Sequence, residues 1–309
     1  MPLLRGQWAS TQLTETEAIN ATAKLVNRMD REQFQDGKSS RPRRGFGVEG
    51  ALAHDIVRDV APGAERAGYS TFWVNDEADG DGLAALREAA AVTTSIRLGV
   101  GAIPLDRQGP QQINSRVEEL ALPVERLVLG VGSGHPAGGL ERVRNGVATL
   151  RDSIDAILVV AAIGPRMLAL AGEIGDGVLL DWPAPRYVVD AAEIVAQGAA
   201  EMQRPRPWIG GYVFTAVGSP GIAQLRREAE HYAAIPSYAT HFARMGVGPM
   251  ETVACGEDAT ALQRSLGRYD TVLDETVVRA VVAEEAVAAS GYLEVLHAAA
   301  PGIGTGPPS

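Results

Sequence analysis

The chain has 309 residues, 46% of them hydrophobic, with a formal net charge of −10 and a single cysteine, Cys255. The acidic balance argues against a nucleic-acid surface, and one cysteine excludes both an internal disulfide and a thiolate metal cluster. No apolar run approaches the ~20 residues needed to span a bilayer, and MPLLRGQWASTQ at the start lacks the apolar segment of a secretion signal. The expectation is a soluble, cytoplasmic protein that binds neither nucleic acid nor membrane.

Residues 1–44 read differently from the rest. Thr14 and Glu17 form a capping-box pattern, Leu13 and Ala18 a hydrophobic staple, and Ile19, Ala23, Val26 and Met29 a narrow apolar stripe. The basic run GKSSRPRRG, Gly37 to Gly45, reads as a linker. This predicts an N-terminal arm, residues 1–44, that packs on the domain of residues 45–309 or on the partner subunit of a homodimer. A disordered extension is the alternative.

From Gly45 onward strand and helix signals alternate. The predicted strands are Gly45–Val48, Thr71–Val74, Ile96–Ile103, Arg126–Val131, Ala156–Ile163, Val178–Leu180, Trp208–Val217 and Thr276–Val282. Helices are predicted over His54–Arg66, Leu83–Thr93, Gln111–Leu122, Leu140–Ile154, Pro165–Ile174, Tyr187–Met202 and Tyr292–Ala299, with a long helical region from Ile222. The stretch from Ala156 to Leu180 is a compact βαβ unit whose strands are continuous apolar runs, as in parallel sheets buried on both faces. Eight such units in about 260 residues have the size of a (β/α)8 TIM barrel, with a doubly wound α/β sheet as runner-up. In a barrel, active sites lie at the carboxyl ends of the strands. That rule selects Asn75-Asp76-Glu77, Gly101–Pro104, Gly132–His135, Gly164–Arg166 and Asp181-Trp182.

Each of these segments has a structural reading beside the functional one. Gly164-Pro165 places proline at a first helical position, and the free N–H groups of that helix beside Arg166 make a phosphate seat, or the pair simply turns the chain. Asp76 and Glu77 face the mouth or only solvate a turn. Gly132 to Ala137, GSGHPA, matches a dinucleotide fingerprint in form. Pro136 interrupts it, however, and Asp152 and Asp155 precede the next strand instead of ending it. The five histidines are scattered, and no metal site is predicted. His135, in a glycine loop after a strand, is the histidine best placed to act.

Taken together the segments resemble the luciferase-like monooxygenase family, in particular its F420-dependent oxidoreductase branch. AERAGYSTFWVNDE, IRLGVGAIPL and RLVLGVGSG resemble its second, third and fourth strand signatures, and GPRMLALAGEIGDGVLLDW is the most specific match. The resemblance covers about Gly45 to Pro301. It implies a barrel that binds F420, or alternatively FMN, with the ring propped on a bulge with a non-proline cis peptide at Gly101-Ala102. It places phosphate contacts at Gly132, Ser133 and Gly134 and at Gly164, Pro165 and Arg166, and the LLDW match adds Trp182 to the cofactor-binding set. Hydride transfer between the ring and a small organic substrate is the implied activity, with His135, Glu77 and Asp76 as catalytic candidates. An FMN-dependent monooxygenase and a non-catalytic flavin- or F420-binding protein are the alternatives. The chain departs from the family where Glu77 replaces a common histidine, where Arg107-Gln108-Gly109-Pro110 replaces Arg-His-Pro, and where His135 replaces a glutamate. Only Leu140–Ile154 stands where members usually carry a long insertion, which implies an open mouth.

Overall fold

The computed structural model describes residues 43–302, so the predicted arm up to residue 42 and the last seven residues lie outside the described part. Nine strands alternate with ten helices among the described residues. The strands are β1 (Arg43–Val48), β2 (Thr71–Val74), β3 (Arg97–Pro104), β4 (Leu127–Gly132), β5 (Ile157–Ala162), β6 (Gly177–Asp181), β7 (Trp208–Val217), β8 (Ala254–Gly256) and β9 (Glu275–Ala280). All pairings are parallel, and β1 to β7 followed by β9 close on themselves through the β9–β1 ladder. This is the predicted TIM barrel. The doubly wound alternative has no such closing ladder. The short β8 pairs only with the last three residues of β7, outside the eight-strand ring.

Two sequence readings change. Arg43 and Arg44, expected in the linker, are the first two residues of β1. Arg44 is held by an ion pair to Asp270 at 2.5 Å and by bonds to Gln263 and the Ala299 carbonyl, which lets a charged residue enter the core. The long helical region from Ile222 is really α7 (Gly218–Ala234), α8 (Pro236–Met245), β8 and α9 (Ala259–Asp270). Proline at the first position of α8 separates it from α7. The remaining helices are α1 (His54–Arg66), α2 (Gly82–Val92), α3 (Pro110–Glu119), α4 (Gly139–Ser153), α5 (Pro165–Ile174), α6 (Pro185–Glu201) and α10 (Ala289–Ala298). None is long and apolar enough to cross a membrane.

Every strand is buried along nearly its whole length, because closure and the helical ring cover both faces. One apolar layer lies between strands and helices. A second fills the barrel, where Trp73 stacks on Trp208 with ring centroids 6.0 Å apart and meets Tyr212 edge-on. Trp73 is possible only because β3 supplies glycine beside it: a Cβ on Gly99 would stand 2.4 Å from the indole. The indole N–H donates to the buried carboxylate of Glu275 at 2.9 Å, so the lower barrel contains no unpaired Trp73 donor.

The β2–β3 connection is fastened by Glu65 of α1, which accepts the backbone N–H groups of Thr94, Ser95 and Ile96. Burial works to raise this carboxyl, but the bonds outweigh it and draw the pKa down to about 2. A depressed carboxylate stabilises the fold above its ordinary pKa, and the contribution is lost as pH falls through about 2. Glu65→Gln should therefore cost about 1–2 kcal/mol at pH 7, discounted for partial exposure, with the deficit shrinking in acid. Denaturant melts of both proteins between pH 7 and pH 2 check this.

Candidate active site

The carboxyl ends of the strands surround a cavity of about 290 Å3, close to the lower end of the ~300–1,000 Å3 range of small-molecule sites. Its walls come from the ends of five strands, three loops and two helices. β3 contributes first. Its register with β4 breaks between Val100 and Ile103, and the two residues in the break, Gly101 and Ala102, turn onto the cavity wall. Their peptide bond is cis, at the place the family resemblance indicates. Gly101 admits no side chain, since a Cβ there would stand 2.5 Å from Leu179 and 2.9 Å from the Tyr212 hydroxyl.

Gly132, Ser133 and Gly134 form the adjoining wall. This loop is tied down from both sides. Arg142 of α4 donates to the carbonyls of Ser133, His135 and Ala137, and Asp106 accepts the His135 N–H at 2.7 Å. Gly134 has φ +63, and a Cβ there would lie 1.7 Å from Asp106 Oδ1. Next to this loop Ala161, Ala162 and Ile163 lead from β5 to Gly164, at the edge of the cavity. No side chain caps α5, and an added Cβ on Gly164 would meet only Arg244 Nη1 at 3.8 Å. Arg244 donates to the Ile163 carbonyl at 2.9 Å, which sets its guanidinium beside Gly164 at the start of α5; Pro165 and Arg166, the other two residues expected at a phosphate seat, are exposed and are not among the residues lining the cavity.

The candidate catalytic residues separate. Glu77 lines the cavity, accepts from Asn75 Nδ2 at 3.3 Å and lies 3.9 Å from Arg279. Asp76 also reaches the wall, but its carboxylate is occupied by the Gly82 N–H, Gln108 and an ion pair with Arg107. Burial is the largest influence on it and keeps its pKa above the ordinary value. Asp76 thereby fixes the start of α2 and the loop after β3. His135 is exposed at the rim and is not among the residues lining the cavity; its Nδ1 accepts from Ala137 N. Pro136 and the Asp106 contact hold the loop so. Trp182 is fully buried and also stands off the cavity. It adopts φ +48 and stacks on Phe214 at 4.0 Å, which turns Asp181 before it toward the cavity while the indole fills the core behind.

Several residues in and around the site were not selected from sequence; besides Tyr232 of α7, which lines the cavity, four carry chemistry. Tyr212 of β7 forms part of the lining, and its hydroxyl has no protein partner. Tyr238 of α8 donates to Asp181 Oδ2 at 2.5 Å; burial pushes the Asp181 carboxyl up to about 6. Arg279 of β9 lies over the Phe214 ring, within 4.0 Å of Glu49 and 3.9 Å of Glu77. Burial acts to lower its pKa, but Glu228, Glu49 and Glu77 outweigh that and hold it charged. Glu49, just past β1, accepts from the Tyr292 hydroxyl at 2.5 Å. An arginine inside the apolar run TVVRAVV was the available signal for Arg279. For Tyr238 there was none, because its role depends on α8 folding back over β6.

The cavity therefore has two chemically distinct sides. β3, β4 and β5 present backbone, glycine and alanine, a surface suited to a flat ring. Over β1, β2 and β9 lie carboxylates around one buried guanidinium, suited to a polar reaction partner.

The sequence profile of the luciferase-like monooxygenase family matches residues 42–158 and 142–293. A 5,10-methylenetetrahydromethanopterin reductase from Methanolobus tindarius is 25% identical over 197 residues, which are 52% of this chain and 60% of that protein. The match thus spans less than two thirds of the curated relative. An F420-dependent secondary alcohol dehydrogenase, solved with an F420–acetone adduct, superposes with a TM-score of 0.67 at 15% identity, covering 84% of this chain and 99% of that one. The oxygenating constituent of 3,6-diketocamphane monooxygenase from Pseudomonas putida, solved with FMN, gives 0.65 at 13% identity over 83% and 96%. At such identities these two structures establish the shared fold.

Two measurements probe the site itself. Gly134→Ala should displace Asp106, free the His135 N–H and lower stability by about 1–3 kcal/mol, read from denaturant midpoints. For Asp181, whose carboxyl lies at about 6 against an ordinary 3.8, the folded chain retains a proton that the unfolded chain gives up. Its contribution to stability is thus full below about pH 4 and lost as pH rises through about 6. Asp181→Asn should flatten that part of the Tm profile between pH 4 and pH 7. An unchanged slope would place the titration elsewhere.

Proposed function

The chain belongs to the luciferase-like monooxygenase family, and on that premise we propose that it is an oxidoreductase that binds F420 and passes hydride between the bound deazaflavin and a small organic substrate. The observation that carries the reading is the wall at the barrel mouth. The break in β3 exposes Gly101 and Ala102 beside the glycine loop Gly132–Gly134, a surface with almost no side chains against which a planar ring can lie. When bound, the deazaflavin supplies the two-electron hydride chemistry itself.

The chain's own residues bind, orient and exclude. Gly101, Ala102 and the backbone of Gly132 to Gly134 would support the ring. The cofactor's phosphate would sit over Gly164, Pro165 and Arg166, where the open N-terminus of α5 and the guanidinium groups of Arg166 and Arg244 favour an anion. α8 closes one side of the cavity through Tyr238. Glu77, oriented by Asn75 and Arg279, would hold or release the proton that accompanies hydride transfer at the substrate's heteroatom. Asp76, held by the Gly82 N–H, Gln108 and Arg107, would fix the loop that carries Glu77. Similarity to a methylenetetrahydromethanopterin reductase and to an F420-dependent alcohol dehydrogenase supports F420 over FMN. FMN is the second reading, supported by the camphane monooxygenase likeness.

Absorbance and fluorescence titrations with F420 and with FMN test the assignment. Saturable binding of F420 is expected, and Arg166→Ala should weaken it by about 1–2 kcal/mol because the backbone donors remain. Gly164→Val should weaken it more. The protein has room for a side chain there, so the loss would report exclusion of the ligand and not a damaged fold. Binding of neither compound overturns the proposal; unchanged affinity in both variants moves the phosphate away from α5.

A further inference from the structure

Of the tyrosines whose hydroxyls are buried, Tyr69, Tyr187, Tyr238 and Tyr292 each donate to a protein acceptor, at 2.8, 3.2, 2.5 and 2.5 Å. Two do not: Tyr212 and Tyr269 have hydroxyl oxygens with no protein partner. Tyr269 belongs to α9, away from the cavity. Tyr212 stands inside the barrel, 3% exposed, and is part of the cavity wall. The surrounding strands make room for it. A Cβ on Gly47 of β1 would lie 3.3 Å from its ring, and one on Gly101 of β3 would lie 2.9 Å from its hydroxyl. A phenylalanine would fill the same space without burying an unpaired polar group, so packing does not account for the oxygen. Nor is the group poised to give up its proton, because burial and the nearby carboxylates Asp181, Glu77 and Glu275 work against phenolate and outweigh Arg279. It is a permanent hydrogen-bond donor beside the residue of β3 that faces the cavity.

We infer that Tyr212 is the floor donor of the cofactor site: its hydroxyl donates a hydrogen bond to the polar part of the bound ring and favours the reduced form. This rests on the reading that the cavity holds a deazaflavin or flavin. A bound ring would gain negative charge on its polar portion when it took up the hydride released from the substrate's C–H bond, the substrate's proton passing to Glu77. Tyr212 keeps its proton throughout and contributes only the hydrogen bond, which is stronger toward the charged, reduced ring than toward the oxidised one. Glu77 remains the group assigned to the substrate proton, so Tyr212 acts on the redox balance of the cofactor.

The test measures dissociation constants of oxidised and of chemically reduced F420, under anaerobic conditions, for the full chain, Tyr212→Phe and Tyr269→Phe. FMN and its reduced form take their place if the wild type binds FMN. Tyr212→Phe should weaken the reduced form about tenfold more than the oxidised form, equivalent to a bound-cofactor potential about 30 mV more negative for a two-electron couple. Its Tm should be equal to or higher than that of the wild type, since an unpaired buried hydroxyl is removed. Tyr269→Phe should leave the ratio of the two constants unchanged. Equal losses for both redox forms, or no loss, in a folded Tyr212→Phe variant would overturn the inference while leaving the cofactor assignment intact. Failure of the wild type to bind either cofactor would overturn both.

Discussion

The barrel closes around large aromatic side chains, and the glycines opposite them decide what can be built above. Eight parallel strands leave an interior that must be filled by side chains. Trp73, Trp208 and Tyr212 occupy it, with Gly99, Gly47 and Gly101 giving way to them. Filling the centre with rings places the floor of the cavity high, near the carboxyl ends of the strands. The break in β3 comes at the same level. One packing solution therefore produces both a solid lower core and a wall of bare backbone at the mouth.

Charge is distributed on that scaffold in a way that burial alone would not favour. Arg279 is almost fully buried, and its cost is offset by Glu49, Glu77 and Glu228, by its position over Phe214 and by a bond from Nη1 to the Ala280 carbonyl. Burial raises the Glu228 carboxyl, and Arg279 partly counters it. These groups form one coupled set across β1, β2, β9 and α7, so a substitution at any one of them changes the field felt by the others. Asp76, Arg107 and Asp106 are committed to loop geometry: Asp76 and Arg107 join the loops after β2 and β3, and Asp106 holds the His135 N–H.

The second helix after β7 gives the site its remaining wall. Along α8, Tyr238, His241 and Arg244 recur every third residue and face the barrel: Tyr238 meets the Asp181 carboxylate, His241 the Asp181 carbonyl and Arg244 the Ile163 carbonyl. Burial lowers the pKa of His241, whose ring meets Tyr187 edge-on. A short segment between β4 and β5, the compact α4, pins the glycine loop through Arg142.

Sequence by itself determined the alternation of eight barrel strands with helices and the end at which the mouth lies. Those follow from short-range signals: apolar runs of strand length, proline at helix starts, glycine at turns, and the rule that parallel strands deliver their loops to one end. Glu77, Gly101, Ala102 and Gly132–Gly134 reach the cavity for that reason, since each lies just past or at the end of a strand. Tertiary structure alone decided which of the candidates face inward. Asp76 and Glu77 are adjacent, yet Arg107 from the next loop engages Asp76 while Glu77 turns to Asn75 and Arg279. His135 stays at the rim because Asp106 captures its N–H, and Trp182 turns into the core because Phe214 stacks on it. Tyr212, Tyr238 and Arg279 join the site from β7, α8 and β9, far along the chain from the loops they meet. Their contribution is set by long-range packing and by the register of a closed sheet, neither of which leaves a local pattern to read.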